Sequence, residues 1–263
     1  MELYVERQSR LHRLDPRTKL AFSAVGTLCL LATSNLFLVL GWLALSHALL
    51  LGAGVPQRRI RWAWRLIVPL LVLVPLLWPL FYQEGAVLLA LGPVRITSLA
   101  LLRGVAVALR IAALAFVWFV LLFTTDQARL IRGLVRLGLP YSWGLTAAVA
   151  LRYLPILQQT YAAVSDAQQA RGLEIGRGHF LAAARAQLPI LVAVLIGALR
   201  SSEALALTLQ ARAYTPDRPR STYHELRLTR ADGLAIAATL VLGAAYLAAR
   251  LLLGFGSQPL SLT

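Results

Sequence analysis

The sequence predicts an all-α, polytopic membrane protein with about five transmembrane helices and a cytoplasmic domain of long amphipathic helices. Three observations support this fold class. Hydrophobic residues make up 59% of the 263 residues, more than in ordinary soluble domains. Several uncharged runs have the length of membrane-crossing helices, and an arginine-rich segment, residues 125–231, separates the last run from the others.

The positions of charged residues predict the membrane segments. No charge occurs between Lys19 and Arg58, a stretch too long for one crossing, and "TSN" at 33–35 divides it into two. A cleaved signal peptide is the alternative for the first segment, but a second apolar run follows at once. The predicted segments are 20–33, 36–54, 66–83 and 96–124 within the region 20–124, and the run 233–255 within the C-terminal region 232–263.

Basic residues predict which parts of the chain face the cytoplasm. The N-terminal segment 1–19 carries five Arg and Lys residues, and the loop between the second and third segments carries four Arg. The loop 84–95 has one Glu and one Arg, and the tail 256–263 has no charge. The positive-inside rule therefore predicts a cytoplasmic N-terminus and an external C-terminus. Arginine in such loops accounts for the net charge of +15 without nucleic acid as a partner.

The segment 125–231 is predicted to be a cytoplasmic domain, since it holds thirteen Arg against six carboxylates. Apolar residues recur at helical spacing over 142–171, which indicates one long helix. Gly172 then supplies the left-handed cap with which many helices end. The apolar face of this helix carries Leu154, Leu157, Tyr161 and Val164.

A second helix is predicted over about 179–212. Its uncharged stretch, 188–199, contains Leu191 and Leu195 and rises only about 18 Å, short of the roughly 30 Å hydrocarbon core. We therefore expect this stretch to pack against an apolar partner and not to cross the membrane.

Both predicted helices end in the same three residues, Gln-Ala-Arg, at 169–171 and 210–212. One arginine in a last helical turn is ordinary capping, favoured by the helix dipole. Repetition of the arginine at two helix ends is harder to explain as capping. A guanidinium presents five donors in a fixed fork, which suits carboxylates and carbonyls in a partner's groove.

These residues resemble a known family, the transmembrane (T) component of energy-coupling factor (ECF) transporters of the EcfT, CbiQ and BioN type. The resemblance covers nearly the whole chain and depends on three stretches. The paired Ala-Arg-Gly motifs are its specific part: the first is intact at Ala170, Arg171 and Gly172, whereas the second reads Ala211, Arg212 and Ala213. The three stretches are "RLDPRTKL" before the first segment, "LRYLPILQQTYAAVSDAQQARG" from Leu151 and "RSSEALALTLQARAY" from Arg200.

The resemblance implies a non-catalytic scaffold in the plasma membrane of a prokaryote, a subunit of an importer of a vitamin or a transition-metal ion. It implies two ABC-type ATPase subunits as partners, which bind ATP and Mg, while this chain binds no cofactor. The two arginine motifs would couple to the ATPases. The apolar helix faces, with Leu154, Leu157, Tyr161, Leu191 and Leu195, would meet the small membrane subunit that binds the substrate.

Other classes of function fit the sequence less well. The only lysine, Lys19, follows "PRT", so the chain has no Gly-x-x-x-x-Gly-Lys phosphate loop. An ion-coupled secondary transporter is the main alternative, but the predicted membrane segments contain no Asp or Glu. A membrane enzyme would need a constellation of His, Ser or carboxylate side chains, and none is evident. One cysteine and four scattered histidines also predict no metal site.

Two arginines within the fourth segment, Arg103 and Arg110, lie seven residues apart and so on one helix face. We expect Arg103 to reach the outer headgroups and Arg110 to bond carbonyls inside the helix bundle. A contact of these arginines with the substrate-binding subunit is the alternative.

Overall fold

The structure, a computed structural model, describes residues 4, 5, 7, 9–33, 35–82, 87–91, 94–173, 180–215 and 228–253. Within these residues the fold is helical, with one short β-hairpin, and the predicted all-α membrane class is confirmed. The elements in chain order are α1 (Arg10–Arg13), α2 (Pro16–Ala32), α3 (Leu36–Gly52), α4 (Gln57–Phe81), β1 (Val87–Leu91), β2 (Val94–Thr97), α5 (Ser98–Thr124), α6 (Gln127–Arg136), α7 (Tyr141–Ala170), α8 (Phe180–Ala211) and α9 (Arg230–Leu253).

The chain forms two compact units, and the boundary between them falls within α6. The first unit comprises Met1–Gly133 and Leu226–Thr263, and the second comprises Leu134–Glu225. Side-chain caps start several helices of the first unit. The side chains of Asp15, Asn35 and Thr97 each accept a hydrogen bond from a backbone N–H in the first turn of α2, α3 and α5.

Helix α5 is the centre of the first unit and packs against α2, α3 and α4. Its side chains Phe116 and Phe123 are fully buried, in a cluster with Leu50 of α3 and Ile60 of α4. The opposite face of α4 is exposed and apolar from Leu66 to Leu80. An apolar helix face of this length without protein cover is typical of contact with lipid.

The helix ends differ in detail from the predicted segments. Helix α4 begins at Gln57 and includes the arginines assigned to the preceding loop, because their long side chains remain exposed on its first turns. The predicted loop 84–95 contains the antiparallel pair β1–β2, and the fourth membrane helix begins at Ser98. The tail 256–263 lies outside the described residues.

Four described stretches are long and apolar enough to cross a membrane: α4, α5, Ala184–Ala211 of α8, and Arg230–Arg250 of α9. Helix α3 is apolar but shorter, at 17 residues. The stretch in α8 runs beyond the predicted 188–199, because its few charged residues are far enough apart to leave the mean hydropathy high. Its length alone therefore does not exclude a crossing.

The second unit consists of the end of α6 with α7 and α8, two long helices that pack on each other. Each contains one proline, Pro155 in α7 and Pro189 in α8. Proline removes one hydrogen bond from the helix ladder and bends the helix at that point. Next to the second proline, Ile190 is fully buried, whereas most large apolar side chains of these two helices are exposed.

Candidate functional site

The end of α7 forms the left-handed cap that the sequence predicts. Arg171 is the last residue with near-helical backbone, and Gly172 follows with φ of +91°. The N–H of Leu173 donates to the carbonyl of Gln168 at 3.0 Å, and the N–H of Gly172 donates to that of Gln169 at 2.9 Å. This pair of bonds is the Schellman motif, which satisfies carbonyls that would otherwise lack donors.

The end of α8 has the same geometry without the glycine. The N–H of Tyr214 donates to the carbonyl of Leu209 at 2.9 Å, and the N–H of Ala213 donates to that of Gln210 at 2.8 Å. Ala213 has φ of +54°, the only positive value among the described non-glycine residues. The left-handed conformation costs alanine about 1 kcal/mol more than glycine. The missing glycine therefore changes the energy of this helix end and not its hydrogen-bond pattern.

Each cap places an arginine at the end of a helix, and the side chain of that arginine is exposed. Arg171 and Arg212 are exposed, and within the described residues neither guanidinium has a hydrogen-bond partner or a carboxylate within 4.0 Å. Arg132 of α6 behaves differently, since its Nε donates to the carbonyl of Ala128 on its own helix at 3.2 Å. The two arginines therefore do not cap their helices with their side chains, and their donors are available to a partner.

The neighbouring residues of the two motifs are also exposed, and one polar side chain is engaged within its own helix. Ala170 and Ala211 are exposed, as are the residues that follow the arginines. The Nε2 of Gln169 donates to the Oγ of the buried Ser165 at 3.1 Å. Among the side chains of the first motif, the arginine is thus the one that remains free for a partner.

The residues predicted to meet a substrate-binding subunit fall into two groups. Leu154, Leu191 and Leu195 are 53%, 45% and 61% exposed, so they are open to a partner. Leu157 and Tyr161 are half-buried within the second unit. The first group therefore suits the predicted contact better than the second.

Arg110 bonds a carbonyl inside the helix bundle, as expected, whereas Arg103 contacts an aromatic ring that the sequence did not indicate. A terminal nitrogen of Arg110 donates to the carbonyl of Thr33 at the end of α2, where the helix dipole favours a positive charge. Arg103 lies over the ring of Tyr82, with its guanidinium carbon 4.1 Å from the ring centre.

Two of the four histidines lie in the described part of the chain, and both are held by hydrogen bonds. The ring nitrogens of His12 lie 2.8 Å from Ser9 Oγ and 2.9 Å from the Val5 carbonyl, and burial lowers the pKa of His12. The ring of His47 accepts from Trp64 Nε1 at 3.0 Å. His179 and His224 lie outside the described residues.

Sequence reasoning missed one group of polar residues, which surrounds Asp232 at the start of α9. Thr229 and Asp232 form a capping box: the N–H of Thr229 donates to Asp232 Oδ2 at 2.9 Å, and the N–H of Asp232 donates to Thr229 Oγ1 at 3.2 Å. The four residues "TRAD" before an apolar run are a signal for this arrangement. The partners of Asp232 on α2 are distant in sequence and left no such signal.

Fold and site together define a multi-pass helical membrane protein with a second helical unit that presents two free arginine helix ends. A comparison with protein families identifies a family that matches this chain. The model of the family CbiQ, described as "Cobalt transport protein", matches residues 7–223. The chain belongs to this family.

Curated relatives agree over almost the full length of the chain. It is 29% identical to the energy-coupling factor transporter transmembrane protein EcfT of Streptococcus equi, over 91% of this chain and 92% of that protein. It is 30% identical to the EcfT of Limosilactobacillus fermentum, over 95% and 97%. The EcfT of Bacillus subtilis is 28% identical, over 92% and 94%. The chain is therefore a transmembrane component of a multi-subunit energy-coupling factor transporter in a prokaryote.

Proposed function

We propose that this chain is the scaffold that couples ATP hydrolysis by two cytoplasmic ABC-type ATPase subunits to a substrate-binding membrane subunit. The transported substrate would be a vitamin or a transition-metal ion. Arg171 and Arg212 would each enter a groove on one ATPase subunit. ATP and Mg would be bound by the ATPases, and this chain would carry no catalytic residue.

The observation that carries the proposal is the pairing of two identical helix ends with free guanidinium groups. Two Schellman caps hold the arginines at the last residues of long helices, so each side chain starts from a fixed backbone position. A preorganised guanidinium loses less conformational entropy when it binds than one on a loop would lose. Two such ends on one unit match a partner that has two equivalent subunits.

The exposed apolar side chains of α7 and α8 support a second contact, with the substrate-binding subunit. Leu154, Leu191 and Leu195 are the predicted residues that remain open, and Leu188 and Leu199 of α8 are 55% and 64% exposed. Exposed apolar surface of this extent marks a protein or membrane contact. We assign it to the small membrane subunit.

The proposal requires that both arginines face the cytoplasm. If α8 crossed the bilayer, its two ends would lie on opposite faces, and Arg171 and Arg212 could not both reach cytoplasmic ATPases. We therefore place α8 on the cytoplasmic side, with its apolar residues against the substrate-binding subunit. The predicted topology is the same, with the N-terminus in the cytoplasm and the C-terminus outside.

The surroundings of Asp232 argue against the alternative function, an ion-coupled transporter. This carboxylate is 1% exposed, and both of its oxygens accept hydrogen bonds from Thr229, Asp15 and Thr18. A carboxylate whose lone pairs are occupied in this way is held in the charged form and is a poor proton or ion relay.

The proposal is tested by purification of the tagged chain from its native membranes, with mass spectrometry of the proteins that accompany it. We expect two ABC-type ATPase subunits with the wild type. Arg171→Ala and Arg212→Ala should each weaken this association, since a lost charge strands its partner groups at a typical cost of about 2 to 5 kcal/mol. The double variant should lose the ATPases and still insert into the membrane.

Matched controls are available on the same helices. Arg152 of α7 and Arg200 of α8 are exposed like the two terminal arginines but lie in the helix interior. Arg152→Ala and Arg200→Ala should leave the association unchanged. Retention of both ATPases at wild-type yield by the Arg171→Ala and Arg212→Ala double variant would reject the proposed coupling role.

A further inference from the structure

The first turn of α2, residues Asp15 to Lys19, is bound to the start of α9. The backbone N–H of Asp15 donates to Asp232 Oδ1 at 2.8 Å, and the hydroxyl of Thr18 donates to the same oxygen at 3.4 Å. Asp15, Thr18 and Asp232 are 5%, 4% and 1% exposed. Residues 217 positions apart are thus joined through one buried carboxylate.

The same turn is bound to the end of α5. The Nζ of Lys19 donates to the carbonyl of Thr124 at 2.8 Å and to the hydroxyl of Thr125 at 3.2 Å. Thr125 is the C-cap of α5, so the ammonium group satisfies carbonyl and hydroxyl acceptors where the helix ladder ends. Lys19 is 5% exposed, and both threonines are buried as well.

A third contact involves α6. A Cβ placed at Gly133 would lie 3.0 Å from Cβ of Pro16, tighter than nine in ten real contacts of that kind. Glycine therefore lets α6 approach the first residue of α2 without a shift of either helix. The turn therefore also contacts α6 at the last residue of the first unit.

All of these contacts involve residues next to the two ends of the second unit. The second unit, Leu134–Glu225, begins after α5 and α6 and ends before α9. Asp15 to Lys19 contacts both of these flanks: Thr124, Thr125 and Gly133 on the one side and Asp232 on the other. One five-residue turn therefore contacts both the segment where the chain leaves the first unit and the segment where it returns to it.

We infer that the turn Asp15–Lys19 is a double anchor through which movement of α7 and α8 is passed to the membrane helices. Its positioning residues are Thr18, Lys19 and Asp232. This inference rests on the proposed function, because it takes the ATPases as the source of the movement. Without the anchor, the flanks of the second unit could shift while α2, α5 and α9 stay in place.

The test uses the complete complex with its ATPase subunits in lipid nanodiscs. The single native cysteine, Cys29, is replaced by serine, and Leu31→Cys, at an exposed position near the far end of α2, carries a bimane fluorophore. ATP hydrolysis and the ATP-dependent change in bimane emission are measured on the same sample. The variant pair is Thr18→Val with Lys19→Met, which removes the hydroxyl and ammonium donors.

We expect the variant pair to retain its ATPase subunits and to hydrolyse ATP within twofold of the wild type, while its emission change falls at least fivefold. Thr18→Ser, which keeps the hydroxyl, should retain the emission change. Thr27→Val is the matched control, because the Thr27 hydroxyl bonds only the Ser23 carbonyl of its own helix, at 2.7 Å. A purely structural role would lower assembly and hydrolysis together with emission.

An unchanged emission response in the Thr18→Val and Lys19→Met pair would overturn the inference and leave the proposed function intact. A wild-type complex with bound ATPases and no emission response to ATP would overturn it as well. If the wild-type chain carries no ATPase subunits at all, the proposed function fails first, and the inference fails with it.

Discussion

Charged residues are used in opposite ways in the two units of this molecule. In the first unit, Lys19 and Asp232 are buried, and the charged group of each makes hydrogen bonds to other elements. In the second, Arg171 and Arg212 are exposed, with no partner among the described residues. Removal of one partner of a buried, hydrogen-bonded charge is strongly destabilising. Exposed charges on fixed helix ends contribute little to the fold and remain available for binding.

The largest expected effect is on stability and comes from the buried Asp232. Asp232→Ala removes the capping box and leaves the Asp15 N–H and the Thr18 hydroxyl without their acceptor, at a cost of about 2 to 4 kcal/mol in the isolated subunit. Arg171→Ala should change the same quantity by less than about 0.5 kcal/mol. Thermal unfolding in detergent measures both. Asp166→Ala, at an exposed carboxylate on α7, is the control, and equal losses for Asp232→Ala and Asp166→Ala would contradict the comparison.

The second effect concerns the dependence of stability on pH. Lys19 precedes the first predicted membrane segment. Burial and, to a smaller extent, the charge of Arg129 lower its pKa from 10.5 to about 8, against the opposing effect of Asp232 and Asp15. Because the unfolded chain binds more protons than the folded chain between these values, stability should rise with pH across this window. From pH 8 to pH 10 the rise should be about 2 kcal/mol.

Lys19→Met should remove this rise, because methionine does not titrate. The measurement is the difference in unfolding temperature between pH 8 and pH 10 for wild type and variant in the same detergent. The lost hydrogen bonds add an offset that is the same at both pH values, so the slope is compared and not the absolute stability. Parallel slopes for the two proteins would show that Lys19 is not buried as described.

The third effect is on binding and concerns the shape of the charged group at position 171. Lysine keeps the charge of arginine but not its planar fork of donors. Arg171→Lys should therefore weaken association with the ATPase subunits about tenfold, or about 1.4 kcal/mol, and should leave the subunit's own stability unchanged. Titration of the purified subunit with the ATPases measures the affinity. Full wild-type affinity of the lysine variant would mean that charge alone suffices.

The smallest effect compares the two helix ends with each other. Ala213→Gly should stabilise the end of α8 by about 0.5 to 1 kcal/mol, because glycine adopts the left-handed backbone at lower cost. Gly172→Ala should destabilise the end of α7 by a similar amount. Amide exchange of Leu173 and Tyr214, the residues that donate the last bond of each cap, reports the two changes. Changes of the same sign at both ends would show that the caps differ in geometry.

The helices and the arginine motifs were predictable because their signals are local. Apolar runs predicted α2, α3, α5 and α9, and repetition of Gln-Ala-Arg drew attention to both helix ends. The left-handed cap at Gly172 follows from a single residue type. At Ala213 the sequence left the geometry open, and the backbone bonds of the cap outweigh the preference of alanine.

What could not be predicted depends on long-range contacts. The start of α2 and the start of α9 are joined across almost the whole chain, and no spacing in the sequence pairs Asp15 with Asp232. The strands β1 and β2 fall largely in the predicted loop 84–95, because the run that forms them is short and lies next to Gly and Pro. Leu154 is exposed whereas Leu157 is half-buried, and this difference depends on packing within the second unit.

If this chain is the coupling scaffold, both arginine ends must face the cytoplasm and bind the ATPases, and cysteine labelling beside them tests this. Ala170→Cys and Ala211→Cys, at exposed positions next to the two arginines, are made singly, each in a Cys29→Ser background, and reacted with a membrane-impermeant maleimide in inside-out and right-side-out vesicles. We predict labelling of both positions only from the cytoplasmic face, and protection of both when the ATPase subunits are added. Labelling of position 211 from the opposite face would show that α8 crosses the membrane, so that the two arginine ends cannot both bind cytoplasmic ATPases.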